Sequence, residues 1–401
     1  MSAALRACVC ALMVVAVWLL APARAEAHPW MIREGYTGCA TCHADPSGAG
    51  LLTAYGRAQS ELLLSAFPTE RGDEPSKAIG AFFGLLPEPE SGKLLYSVAY
   101  RGAAFLTKVE GKPASARHIV MQADARVQWQ FADRFRVNGS LGFVPAGGQL
   151  AALVPDSALQ LVSREHWLGV DLGEDKDWLL RAGRIALPYG LRGNEHPMWT
   201  RSTTRTDTAF QQQHGVAVAR TTDTYRAELM AVLGNYQLSP DLYRERGYAG
   251  YYERAFSPHF AAGVSSMLML AEGDLYKSRR QPLTRHAHGL FARWALAPAA
   301  VVLAQADVIS AHPTGVSAST GGAAFAQVDL QLARGIHLMP ALEAQAIKFG
   351  ERGANLGAWL SGAFFPYAHV ETRVDLIARS MDTPAGRVTG LSGLCALHLY
   401  L

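Results

Sequence analysis

From about residue 92 to the end of the chain, polar and apolar side chains alternate. Between Met121 and Phe131, Gln122, Asp124, Arg126, Gln128 and Gln130 interleave with Ala123, Ala125, Val127, Trp129 and Phe131. Between Ala368 and Arg379, His369, Glu371, Arg373 and Asp375 interleave with Val370, Thr372, Val374 and Leu376. A period of two kept over such lengths predicts strands with one polar and one apolar face. The strands run to about 10–15 residues, against about five or six in soluble sheets. Their connections alternate. Tight ones fall near Asp133, Asp175, Asp223, Pro258, Pro298, Gly335 and Pro366. Longer ones fall near Gly111, Val154, the segment Pro188 to Gln212, Ser239, Arg279, Thr314, Arg352 and Thr383. Seven tight and eight longer connections define about 16 strands with both ends on the tight-turn side, the layout of an outer-membrane barrel.

The two faces agree with that layout. The apolar face is built of Ala, Val, Leu and Gly, with Trp129, Phe131, Trp167, Trp178, Trp294 and Tyr400 near strand ends, where aromatic girdles form. The polar face carries Asp124, Arg126, Asp329, Glu343, Arg373 and Asp375, too many ionised groups for a soluble core and suited to a wet lumen. The final strand reaches Leu401, with Leu397, Leu399 and Leu401 on one face. The predicted fold class is therefore all-β: a transmembrane antiparallel β-barrel of about 16 strands over residues 92–401, in the outer membrane of a Gram-negative bacterium.

The first ninety residues differ. Arg6, an apolar run from about Ala7 to Ala21 and the small-residue sites ending at Ala25 and Ala27 predict a secretory signal over residues 1–27. After it, no apolar run of about 18 residues predicts a membrane helix. A small, mostly helical or irregular segment over 28–67 follows, with a turn at Asp45 to Gly50 and a helix from Leu51 to Phe67. Leu52, Tyr55, Leu62 and Leu63 are its candidates to cover a haem edge. Residues 68–91, charged and Pro-bearing, read as a linker.

Of five cysteines, Cys8 and Cys10 fall in the signal and Cys395 stands alone as a small apolar residue, so no disulfide framework results. The other two form Cys39-Ala40-Thr41-Cys42-His43, the c-type haem attachment pattern. Two thiols at this spacing bond the two haem vinyl groups, and the next residue sets an imidazole beneath the iron as proximal ligand. No second Cys pair or spaced His pair lies nearby to complete a zinc site. His28 and Met31 are the candidate distal ligands on this segment; a five-coordinate iron, or a ligand from the second half of the chain, are the other options. The predicted cofactor is one covalently attached haem c, on a segment too short to bury it.

A net charge of +3 on 401 residues argues against a nucleic-acid partner. The signal, the single haem motif and the following Leu52-Thr53-Ala54-Tyr55-Gly56-Arg57 resemble the fused monohaem cytochrome–porins of Gram-negative outer membranes, some of which oxidise ferrous iron at the cell surface. The resemblance implies a 16-stranded barrel with the haem segment in its lumen or on its periplasmic side. A lipid core of about 30 Å insulates, so a haem held within the barrel predicts an electron conduit between an extracellular donor or acceptor, ferrous iron among the candidates, and a periplasmic c-type cytochrome or other soluble electron carrier. Outer-membrane lipid is the remaining partner. The turn around Gly48 and Gly50, with the linker, is placed to thread into the lumen. Two rival readings are a haem-plugged porin for solute passage and a sensor or peroxidase with an open iron site. The segment Pro188 to Gln212, with His196, Trp199, Arg201, Arg205 and His214 nearby, reads as a solvated outer loop without assigned substrate residues. His286 and His288 lie two apart on one strand face, a spacing that can hold a metal, but no third ligand is fixed by the sequence.

Overall fold

The computed structural model describes residues 28–48, 50–67, 93–143, 161–192, 198–207, 211–351, 353–367 and 370–400. The signal and linker expectations fall outside the described residues.

The alternating stretches form one antiparallel sheet. Its strands are β1 (Leu94–Val109), β2 (Ser115–Phe131), β3 (Phe135–Phe143), β4 (Leu161–Val162), β5 (His166–Leu172), β6 (Trp178–Ala186), β7 (Gln212–Thr221), β8 (Tyr225–Gly234), β9 (Arg246–Ser257) and β10 (Phe260–Ala271). They continue with β11 (Leu283–Ala297), β12 (Ala300–Pro313), β13 (Ser319–Ala333), β14 (Ile336–Ala346), β15 (Asn355–Phe364), β16 (Val370–Thr383) and β17 (Gly386–Tyr400). β4 and β5 pair successively with β3 and make one interrupted strand, so the wall has the 16 strands that the turn pattern predicts. β1 pairs with β17 from Ala99↔Tyr400 to Val109↔Gly390, which closes the barrel and leaves no free edge.

Side-chain alternation sorts cleanly. Trp129, Leu290, Leu342 and Leu376 project outward, each more than half exposed, while Asp124, Asp329, Glu343 and Asp375 on the opposite parity are buried inside. Trp129, Phe131 and Phe135 contact one another beside the tight turn after β2, and Phe256, Phe260 and Trp294 do so beside the turns after β9 and β11. This apolar exterior with an aromatic girdle contacts lipid, and the protein is an outer-membrane barrel.

Two girdle expectations are corrected. Trp167 and Tyr400 have inward parity and are only 3% exposed. Three connections expected to be long are short: Thr383 and Gly386 flank a two-residue turn, residues 110–114 join β1 to β2, and residues 314–318 join β12 to β13. The lumen is also not a wet bore where the structure describes it. Its charges are buried and paired, as in Arg136–Asp171 at 2.6 Å, Arg164–Asp124 at 2.7 Å and Arg293–Glu253 at 2.8 Å, and in the pairs Arg181–Glu228 and Arg226–Glu253. Two chain segments fill it.

Candidate functional site

The first filling segment is the stretch that carries the haem motif. It comprises a 3-10 helix at Pro29–Glu34, a 3-10 turn at Cys39–Thr41 and helix α1 (Ala54–Leu63). The helix is shorter than the sequence suggested. Thr53 sets its start: its Oγ1 accepts from the Gly56 N–H at 3.0 Å and donates to the Thr41 carbonyl at 3.0 Å. This segment is lodged inside the barrel at the tight-turn end, which in such barrels faces the periplasm. Arg33 pairs with Asp329 of β13 and donates to Gln331 at 3.1 Å. Arg293 of β11 donates to the Thr37 carbonyl at 2.7 Å, and Arg57 donates to the Tyr96 carbonyl of β1. Backbone bonds from Ala66 to Phe365 (2.9 Å) and from Phe67 to Pro366 (2.8 Å) staple its end to the wall.

The motif folds as a single turn. The Cys42 and His43 amides both donate to the Cys39 carbonyl, at 3.1 and 2.9 Å, so one tight turn carries both thiols and the imidazole. All three side chains belong to the plug interior or its wall contact: Cys42 and His43 are buried, and Cys39 is half-buried with its Sγ 2.9 Å from Arg226 Nη1 of β8. Neither cysteine is in a disulfide. Burial, with Cys39 alongside, pushes the Cys42 thiol up to about 11. His43 pairs across the turn with Leu52, bracketed by Ala44 N–H to Leu51 O and Thr53 N–H to Cys42 O, each 2.9 Å.

Gly56 explains the element after the motif. A Cβ there would lie 2.8 Å from Cys42 Cα, so only glycine lets α1 rest on the motif backbone. Gly48, at φ +81°, comes equally near, since a Cβ would stand 2.9 Å from Cys39 Sγ. Of the four candidates for covering a haem edge, Leu52 is fully buried and Leu63 partly so. Tyr55 and Leu62 instead face out of the plug, because α1 lies at the rim with one side uncovered.

The residues present fit a haem c. Beyond the donor set, the lumen offers cations without complete partners beside the motif. Arg192 Nε and Nη1 and Arg181 Nε are buried and find no hydrogen-bond partner among the described residues. Both arginines act on Asp45, two residues after His43, whose Oδ2 lies 3.4 Å from Arg181 Nη1. Burial alone would raise the Asp45 carboxyl, but the Arg181 and Arg192 guanidiniums outweigh it and hold it well below the usual carboxylate range. Haem carries two carboxylates of its own, the chemistry such donors accept.

His28 and Met31 are both on the plug. His28 stacks on Trp30 at 4.6 Å and meets Phe365 edge-on at 5.5 Å, so it sits by β15, whereas Cys39 is held by β8 on the opposite arc of the barrel. Met31 is buried in an apolar cluster with Trp30, Ile32, Leu64 and Phe365.

The second filling segment corrects an expectation. Residues 187–211 are not a solvated outer loop where they are described; they fold into the barrel, with a helical turn at Trp199–Thr204. The Trp199 N–H donates to Glu343 Oε2 at 2.9 Å, and Met198 packs on Ala341, Trp359 and Ile377. Tyr189 Oη donates to Asp307 at 2.9 Å. Its apolar and hydrogen-bonding groups thus find partners on the inner wall, and Arg205 adds pairs to Glu245 and Asp274 of the neighbouring connections. Leu191 joins the cluster of Trp30, Met31, Ile32 and Leu64, so loop and plug meet. His196 lies outside the described residues, and His214 faces outward against Tyr236.

No protein-family model matches the sequence, and no curated protein matches it significantly. Solved structures do match. The outer-membrane protein OmpT of Vibrio cholerae superposes with a TM-score of 0.56 at 11% identity, covering 77% of this chain and 99% of that one. The outer-membrane channel DcaP of Acinetobacter baumannii gives 0.53 at 14% identity over 76% and 96%. An anion-selective porin from Comamonas acidovorans gives 0.56 at 8% identity over 77% and 99%. The fold is that of the porins. These porins are covered almost end to end, and about a quarter of this chain is left over.

Sequence reasoning placed Asp329 on the polar face but missed the other wall residues that seat the plug, Arg181, Arg226 and Arg293. Each has inward parity within a few residues of a tight turn, a signal readable once the barrel is assumed.

Proposed function

We propose that this chain is an outer-membrane electron-transfer protein, a porin-type barrel whose periplasmic mouth is filled by its own haem c segment. One observation carries the reading: the C-x-x-C-H turn lies on the plug, inside the wall, with Cys39 Sγ against Arg226 of β8. A lipid core of about 30 Å insulates; a bound haem c supplies a one-electron redox centre within that thickness. Cys39 and Cys42 would hold it covalently, His43 would ligate the iron, and Arg181 and Arg192 would meet its carboxylates. His28 and Met31 are the distal candidates. The barrel wall takes the shielding role that the segment alone is too short to fill. An extracellular donor, with ferrous iron the first to test, and a periplasmic c-type cytochrome complete the path.

The test has two steps. A denatured wild-type band should stain for haem, and Cys39→Ala should not. In intact outer-membrane vesicles, externally added ferrous iron should reduce the haem. An unstained wild-type band removes the haem reading, and a haem left oxidised at neutral and acidic pH removes iron as donor. The likeness in fold to channels and porins supports a second reading, solute passage. Planar-bilayer recording separates the two, because large steady conductance from the intact chain contradicts a filled lumen.

A further inference from the structure

Three histidines cluster on the outside of the barrel, far from the plug. β11 begins at the outer rim, after residues 272–282. Its Arg285 points inward, donating to Glu245 Oε2 at 2.6 Å and to the Thr204 carbonyl at 2.9 Å. Alternation therefore turns His286 and His288 outward, in line with Leu290 of the lipid belt. The register sets Thr284 opposite His312 and His286 opposite Ser310 on β12. The third histidine that the sequence could not supply thus comes from the next strand. His286 has ring centroids 5.3 Å from His288 and 5.5 Å from His312.

The cluster is partly pre-arranged. His288 Nδ1 lies 3.0 Å from Ser266 Oγ, which is 3.0 Å from Tyr248 Oη. That chain of hydroxyls across β9 and β10 fixes the His288 ring and leaves Nε2 for a ligand, as second-shell partners do at metal sites. Among the described residues these rings meet Ser266 and one another, and no carboxylate. The spacing suits a shared ion once the His312 ring, stacked on His286 at an interplanar angle of 15°, has turned. A nitrogen–metal bond of about 2.0–2.1 Å, plus about 1 Å from nitrogen to ring centre, puts two tetrahedrally disposed centroids ~5 Å apart. Among the described residues no three such donors already converge on one point. His288 and His312 are exposed, and their side chains can turn to complete the set.

We propose that His286, His288 and His312 bind one borderline divalent transition-metal ion, of the zinc, nickel or copper class, on the outward face of the barrel rim. An all-imidazole set without carboxylates selects these ions over magnesium or calcium. The site is independent of the haem reading.

The test uses the full chain, purified without an affinity tag in detergent. Zinc is titrated calorimetrically, and copper(II) is followed by paramagnetic resonance. His286→Ala and His312→Ala should each weaken one wild-type equivalent at least tenfold, while His118→Ala, on β2, should leave it unchanged. Imidazole nitrogen hyperfine structure on copper should diminish in both active variants. Heat-modifiable migration on gels confirms that the barrels are folded. Unchanged stoichiometry and affinity in His286→Ala and His312→Ala overturns the proposal, as does a wild-type copper spectrum with no imidazole nitrogen.

Discussion

Replacing Arg33 by alanine tests whether ion pairs seat the plug. Arg33 is the plug's partner for Asp329, both side chains are essentially inaccessible, and Gln331 accepts a further bond at 3.1 Å. With Arg33 gone, the Asp329 carboxylate keeps, among the described residues, only His337, whose Nδ1 is 3.1 Å away. Removing one member of a buried pair costs about 3–5 kcal/mol, chiefly because the other charge is stranded. His337 holds the expected loss to the lower end, about 3 kcal/mol. Because the plug is tethered to the barrel, that loss appears as a shift of ~10²-fold in the equilibrium between seated and unseated plug, at 1.36 kcal/mol per decade. Two assays read it: bilayer conductance, where openings become more frequent, and limited proteolysis of residues 28–67, which speeds up. The double variant Arg33→Ala/Asp329→Asn removes the stranded charge and should recover most of the seating. If Arg33→Ala matches wild type in both assays, or the double variant is as open as the single one, the reasoning from stranded charge is wrong.

Three further outcomes follow from the geometry. Gly56→Ala forces a Cβ to within 2.8 Å of Cys42 Cα, so α1 must lift off the motif at about 1–3 kcal/mol, and haem stain per folded barrel should fall several-fold. Arg192→Gln should keep covalent haem but lower its midpoint potential, by on the order of tens of millivolts at an effective dielectric of ~20, with Arg192→Lys nearer wild type in a potentiometric titration. Glu245, in the connection before β9, is pinned to the inward loop and to β11: burial would raise its carboxyl, but Arg285 and Arg205 outweigh that and lower it to about 2. A depressed carboxyl stabilises above its unfolded value of about 4.5 and loses that contribution as pH falls towards 2, about 3 kcal/mol in all. Protease cleavage of residues 187–211 should therefore accelerate across that window in wild type, and Glu245→Gln should abolish the dependence.

The strands and the motif were legible because each is a local pattern. A period of two fixes which side chains share a face, and Cys39, Cys42 and His43 are fixed by spacing along one turn. Gly56 and Arg57 were visible as part of a familiar element, but their reasons lay elsewhere in the fold: one rests on Cys42, the other reaches Tyr96. What the sequence hid was every relation set by closure. Whether residues 187–211 fold in or out depends on Glu343 and Asp307, over a hundred residues away. Whether His286 has a third imidazole depends on the register of β12. Trp167 and Tyr400 resemble girdle residues by type and by position near strand ends, and only parity counted from their neighbours turns them inward.

Closure also changes what the charged inner face is for. Read from the strands alone, Asp124, Arg126, Asp329, Glu343, Arg373 and Asp375 describe a wall wetted by solvent. In the folded chain they are buried and engaged, Asp329 by the plug, Glu343 by the inward loop and Trp359, and Arg373 by Asp375 at 2.8 Å. Charges retained in such a setting are costly unless their partners stay in place. Each pair between plug and wall fixes the register of the segment against the barrel. Arg226 joins the two roles, bonding Glu253 within the wall and reaching Cys39 Sγ and the Ser47 carbonyl on the plug. The porin fold supplies the tube. Its inward charges, placed beside the tight turns, make one end of that tube a seat for the segment that carries the cysteines.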